Sequence, residues 1–525
     1  MKAAKLILSM LAIASITVFL YSCGEDEEPE TLPPTMNFTD TDGVATAERG
    51  GSVDIEVNLT AQGGIRTLTA NGAPVTVTAG QVQQTVTFTY AVAANETVGD
   101  KSVEFVLTDN KSRTATATYR VTVIGSTIQI TSDITTNTTW SEGNIYVLNN
   151  TIKIENATLT IERGTTIQAV DDGRPVKDAA KVLVALRVEP TGKLIANGEA
   201  GKPVVFTVKP VGTAAPAPGM WRGLIIKGDP AAANHNAGSL RFTRVEFGGG
   251  DEDLPTDDKG ALTFVNVGMS TVIENVQVFK SLGQGFRFEG STMAMKNCIS
   301  LENLRSNLQL RHTGTTAADI RHSNVYAQGF ISNTISGNKD TRDILISNPP
   351  TSLNGNALTV SNMTLLGPGA AYTVGGAPST VDGMRAESRA GKVLIYNSII
   401  AEFPEDGIRL SNNVPETRIE HSFFFRIGGT DPTGITNLGN STALRENAVQ
   451  FASGFNNNIN PTTTTVAGIG VNDYTPNAIQ ASTYNPTSLN DANFTFQAFQ
   501  YVGAIGTTDW TTGGWARNAD GTIRQ

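Results

Sequence analysis

The chain has 525 residues, too many for one hydrophobic core, so two or three domains are expected. With 52 Gly, 17% charged and 7% aromatic residues, it reads as a β-rich extracellular protein, not one built on long amphipathic helices. A net charge of −10 argues against nucleic acid as a general partner, because phosphate contacts need clustered Lys and Arg.

Residues 1–22 have the three parts of an export signal. Lys2 and Lys5 form a basic start, Leu6 to Leu20 an apolar run, and Tyr21-Ser22-Cys23 a small-residue end. The apolar run is short for a retained membrane span. Leu20-Tyr21-Ser22-Cys23 resembles a lipobox, which implies a diacylglyceryl group on Cys23 and a stable lipid anchor. The alternative is a plain secreted chain with an incidental Cys. Residues 23–36 carry Glu25-Asp26-Glu27-Glu28 and Pro33-Pro34, the composition of an extended acidic tether. The run resembles the acidic export signal of Bacteroidota lipoproteins, which implies an outer-membrane protein exposed on the cell surface. With Cys23 lipidated, Cys298 has no intramolecular partner, so packing and not sulfur must hold the fold.

Over 37–125, short alternating strands such as Val53/Ile55/Val57/Leu59 and Val103/Phe105/Leu107 are separated by turn signals, Asn71-Gly72 and Asp109-Asn110 among them. About seven strands in this span predict an immunoglobulin-like β-sandwich. No catalytic constellation is visible there.

A repeat dominates 128–427. Ile273-Glu274-Asn275-Val276, Met295-Lys296-Asn297-Cys298, Ile320-Arg321-His322-Ser323, Val360-Ser361-Asn362-Met363, Ile395-Tyr396-Asn397-Ser398 and Ile419-Glu420-His421-Ser422 place Asn or His ahead of a short apolar strand. The spacings are 22, 25, 40, 35 and 24 residues. A second set precedes it in phase: Leu262-Thr263-Phe264, Phe286-Arg287-Phe288, Leu308-Gln309-Leu310, Met384-Arg385-Ala386 and Ile408-Arg409-Leu410. Two strands locked at a period near 22 describe the coil of a parallel β-helix, and the longer gaps are coils with insertions. Asn and His then mark the corners, where stacked Asn amides can bond along the axis.

Ala157-Thr158-Leu159-Thr160-Ile161-Glu162-Arg163-Gly164-Thr165, Gly192-Lys193-Leu194-Ile195-Ala196-Asn197-Gly198, Lys202-Pro203-Val204-Val205-Phe206-Thr207, Arg244-Val245-Glu246-Phe247-Gly248-Gly249 and Tyr501-Val502-Gly503-Ala504-Ile505-Gly506 closely resemble a Bacteroidota family of surface lipoproteins with a right-handed parallel β-helix, a pectate-lyase-like fold. The resemblance covers about 130–515. It implies the fold, says little of activity, and by family context points to a TonB-dependent transporter system as partner. The fold class expected is thus all-β, a sandwich followed by a β-helix. Residues 428–525 read as an irregular cap that closes the helix end or lies along it. Trp510 and Trp515 either pack in that cap or form a sugar-stacking platform.

Chemistry-bearing residues are scattered. Glu246, Glu274, Glu289 and Glu302 fall on successive segments, as do Asp382, Glu405 and Asp406, and stacked coils can bring such acids together. The bland reading is a solvated sheet face. Asp251, Asp253 and Asp257 form an acidic loop with hard oxygen ligands, a candidate calcium site that lacks EF-hand order; no other cofactor is expected. His235, His312, His322 and His421 show no metal-ligand spacing, and no nucleophile triad or phosphate loop stands out. Phe286-Arg287-Phe288, Arg305, Arg311, Arg409 and Tyr396 offer a sugar-binding face, although alternation sends half of them inward. Two functions follow, beside a purely structural role as a spacer or adhesin stalk. The first is a non-catalytic surface lipoprotein whose β-helix face binds a glycan or a partner outer-membrane protein. The alternative is a polysaccharide lyase or glycoside hydrolase acting on an acidic glycan.

Overall fold

The structure is a computed structural model. It describes residues 32–40, 43–175, 177–178, 180–232, 234–250, 259–314, 319–333, 342–347, 355–369, 372–374, 377–378, 381–387, 391–410, 417–425, 427, 435–436, 458–459, 474, 479–490 and 494–525. The chain divides into two compact units, 1–123 and 124–525.

The first unit is built from two β-sheets. Ser52–Thr60 pairs antiparallel with Thr35–Phe38 on one side and Gln83–Ala91 on the other. A five-stranded sheet runs in the order Val44–Glu48, Thr114–Ile124, Gly99–Asp109, Ile65–Ala70, Ala73–Val75. Alternation decides which side chains go in. Ile55, Val57 and Leu59 are buried with Phe105, Leu107, Tyr119 and Val121, while Asp54 and Glu56 stay exposed. Phe38 and Phe88 meet Phe105 edge-on at 5.7 and 5.5 Å.

The second unit is a parallel β-helix. One sheet stacks ten strands in parallel, from Ile152–Ile154 through Phe286–Glu289, Leu308–Arg311 and Asp382–Ala386 to Ile435–Thr436. The remaining coil segments form a second ladder that bends through a corner. This bend explains why Lys193–Asn197 and Val204–Lys209 both pair with the single strand Gly238–Glu246. Likewise Lys392–Tyr396 and Ile399–Ala401 both pair with Asn356–Leu366. The interior is a continuous apolar stack in which Phe264 and Phe288 lie face to face at 5.2 Å. Each such buried side chain contributes roughly 1.5–3 kcal/mol against the chain entropy lost.

The corner is made by left-handed residues. Asn275, Asn297, Asn362, Asn397 and His421 fall in one column with φ of 54°, 52°, 57°, 51° and 54°. Asn tolerates this region at lower cost than most residues. His322 does not belong to the column. Lys296 pairs with Gln328 and Cys298 with Phe330, so Gly329 (φ 73°) occupies that corner and the spacings become 22, 32, 33, 35 and 24 residues. A coil was also missing from the second set: Ile344-Leu345-Ile346 sits between Leu308-Gln309-Leu310 and Met384-Arg385-Ala386. The column does not act as a simple amide ladder. Asn362 Nδ2 donates to Phe499 O (3.2 Å) and Tyr501 O (2.6 Å), and Asn397 Nδ2 to Tyr484 O (3.2 Å) and Phe499 O (3.3 Å).

Those carbonyls belong to the C-terminal segment, which lies along the outside of the bent ladder. Beneath it, Phe279, Ile299, Leu301, Ile331, Leu366 and Ile399 form a second apolar cluster with Val502, Ala504, Ile505 and Trp515. Ile299 therefore packs outward under this segment, while its neighbour Cys298 points into the coil interior. Among the described residues, no helix is long and apolar enough to cross a membrane.

Candidate acid cluster on the β-helix

Two adjacent coils carry the same short pattern, Asp382-Gly383-Met384-Arg385 and Asp406-Gly407-Ile408-Arg409, the second preceded by Glu405. Met384 pairs with Ile408 and Arg385 with Arg409, so each Asp and each Arg stands beside its counterpart. Gly383 is needed for this close stacking. A Cβ there would lie 2.4 Å from Gly407 O and 2.9 Å from the Phe403 ring.

The result is a tight set of charges. One carboxylate oxygen each from Asp382, Glu405 and Asp406 lies within 4.8 Å of the others, and among the described residues no other set of three acidic, His or Cys side chains gathers this way. Arg385 donates from Nε to Asp382 Oδ2 at 2.9 Å, with Nη2 2.6 Å from the same oxygen. Arg409 Nη1 is 3.2 Å from Glu405 Oε1 and 3.7 Å from Asp382 Oδ2, and its Nε is 3.5 Å from Asp406 Oδ2. Asp382 Oδ1 and Glu405 Oε2 have no hydrogen-bond partner.

Electrostatics follows from that inventory. Burial, with the neighbouring Asp406 carboxylate adding to it, pushes the Asp382 carboxyl up to about 6 despite the two guanidiniums. Protonating Asp382 leaves two carboxylates facing two guanidiniums, a balanced set. A metal fits poorly here. Calcium takes six to eight oxygens at about 2.3–2.6 Å, whereas Asp382 Oδ2 is already held by Arg385, with Arg409 close by.

The other acids are paired separately. Glu246 is buried between Arg244 Nε (2.8 Å) and Arg517 Nε (2.6 Å). Glu274 pairs with Arg241 and, at 3.8 Å, with Lys296. Glu289 pairs with Arg287 and, at 3.6 Å, with Arg311. Glu302 is a left-handed residue, φ 56°, at the next corner. Cys23 and the calcium candidates Asp251, Asp253 and Asp257 lie outside the described residues. Trp515 is fully buried with Nε1 donating to Trp510 O, and Trp510 Nε1 donates to Ala504 O at 2.8 Å, so both serve the packing of the C-terminal segment. Arg385 is not among the candidates that the sequence singles out, although its spacing of three from Asp382, repeated at Asp406 and Arg409, is a usable signal.

Residues 132–478 match the model of a family described as pectate-lyase like beta helix domain. The chain belongs to that family. No curated protein matches this pectate-lyase-like chain. Among solved structures, a family 28 exopolygalacturonase of Yersinia enterocolitica is 9% identical over 78% of this chain and 97% of its own, with a TM-score of 0.15. Within the pectate-lyase-like domain, the acid cluster lies at the border of the ten-stranded sheet, where Asp382 opens its strand and Glu405 and Asp406 lie just before Ile408–Leu410.

Proposed function

We propose that the chain is a lipid-anchored protein of the outer-membrane exterior whose β-helix holds a polysaccharide without cleaving it. The supporting observation is the burial of the cluster. Asp382 and Asp406 are 0% and 3% exposed. In front of them, Arg385, Arg409 and Glu405 keep 20%, 23% and 29% of their side-chain surface open. A general acid must come within about 3 Å of the oxygen it protonates, and these two Asp are closed off from such contact. What the face offers is two part-exposed guanidiniums one coil apart, at about 4.8 Å, held in place by the acids beneath them, with their remaining N–H groups suited to the carboxylates and hydroxyls of an acidic glycan.

A second reading, a lyase or hydrolase acting on an acidic glycan, is favoured by one observation. Asp382 holds its proton to about pH 6 beside acids that pair with arginine, the division of labour that acid–base cleavage uses. Incubation with pectin, alginate and host glycans separates the two. Binding without product, weakened by Arg385→Ala and Arg409→Ala, supports the first. Product formation that Asp382→Asn or Asp406→Asn abolishes replaces it with the second.

The anchor rests on Leu20-Tyr21-Ser22-Cys23 and the acidic run that follows. Fatty-acid labelling that persists in Cys23→Ala, or full protection from protease added to whole cells, would overturn this half of the proposal. A TonB-dependent transporter system is the partner to test by pull-down from outer membranes.

A further inference from the structure

The outer face of the bent ladder is arranged like a peptide-binding groove. Gln277 and Gln328 each clamp the C-terminal backbone with both ends of the amide. Gln277 Nε2 donates to Arg517 O at 2.9 Å and its Oε1 accepts from Arg517 N at 2.7 Å. Gln328 does the same with Gln497, at 2.9 and 2.8 Å. Asn362 and Asn397 add the carbonyl contacts described above, and Gly503 N donates to Asn397 O at 2.8 Å. Two anchors fix the register. Trp515 is fully buried against Phe242, and Arg517 reaches the buried Glu246, while Arg244 donates to Trp515 O at 3.0 Å. Backbone bonds for affinity and spaced side-chain anchors for specificity are how proteins read extended peptides.

We infer that this groove is a peptide-recognition site whose ligand is the chain's own C-terminal segment, residues 479–525, docked on finished coils and separable from them. The contacts span coils from Glu246 to His421, so the groove exists only once those coils have stacked. Among the described residues of 479–525, strand pairing is confined to the isolated bridges Ala481–Tyr501 and Arg517–Ile523, so the segment is bound to the coils by side-chain amides and anchors and adds no strand to their sheets. This stands independently of the glycan reading.

The test uses the full chain with a protease site inserted in 475–478, after the ladder strand Asn458–Ile459 and the buried Tyr474, and cut after folding. The severed segment should co-elute with the coils and exchange with a labelled synthetic 479–525 peptide. Variants are confined to the peptide, so the folding of the coils is untouched. An Arg517→Ala peptide should compete at least about tenfold worse, because it leaves Glu246 short of one partner of a buried pair. An Arg517→Lys peptide should recover part of that loss. Three results overturn the inference: release of the segment without rebinding, unfolding of the coils on cleavage, or equal competition by the Arg517→Ala peptide. A concentration-dependent dimer of uncut chains would assign the groove to a second copy's segment and overturn the assignment made here.

Discussion

The β-helix has two apolar clusters that look alike in composition and differ in origin. The interior stack, with Phe264, Phe288 and Cys298, exists because each coil returns the same position to one axis. The outer cluster, with Phe279, Ile299 and Leu301, exists because a distant segment lies over it. Cys298 and Ile299 are neighbours in sequence and belong to different cores. Burial alone therefore says little about what a side chain supports; the side of the ladder does.

The comparison can be broken most forcefully from inside. Phe288→Ala should cost about 3–5 kcal/mol by chemical denaturation, since its stacked neighbours cannot collapse into the void. Ile299→Ala should cost about 2–4 kcal/mol, and its distinguishing mark is elsewhere: Trp515 fluorescence should shift to the red as the C-terminal segment loosens while far-ultraviolet ellipticity holds. If Phe288→Ala gave the same selective change, the two clusters would not be separate.

A charge offers a finer probe. Folded Asp382 keeps its proton to about pH 6, above the unfolded value near 3.8, so the native state binds more protons between those values and stability falls as pH rises through that window. The difference in unfolding free energy between wild type and Asp382→Asn should drift against wild type by roughly 2–3 kcal/mol from pH 4 to 7. A flat difference would place Asp382 in a solvated setting. The smallest effect belongs to the corner. Asn275→Ala should cost about 1 kcal/mol and Asn275→Gly only a few tenths, because φ is 54° there. Asn362→Ala should cost more than Asn275→Ala, since it also loses two bonds to the C-terminal segment.

How much of this was readable follows from locality. The strands and the corner Asn residues were legible because alternation and left-handed backbone are properties of a few adjacent residues. His322 was misplaced because Ile320-Arg321-His322-Ser323 imitates the corner pattern, whereas the true corner, Gly329, carries no side chain to mark it. The acids Asp382, Glu405 and Asp406 were visible as candidates on neighbouring segments. That stacking can bring them together was also legible; which arginine holds which acid was not, because side-chain pairing leaves no mark in the strand period. The outer cluster was invisible for a deeper reason. Contacts such as Arg244 to Trp515, 271 residues apart, leave no periodic trace.

The corner column has one more consequence. Measured from corner to corner between Asn275 and His421, coil circumference varies from 22 to 35 residues, yet the extra length never enters the long strands that turn through Asn297, Gly329 and Asn362. It falls on either side of strands such as Arg342–Ile346 and Asp382–Ala386, which stay in register regardless. Growth is thereby confined to the borders of the sheet that carries Arg385 and Arg409. A lineage of such chains can remodel the rim around that face, and hence what it admits, while the rest of each turn remains fixed.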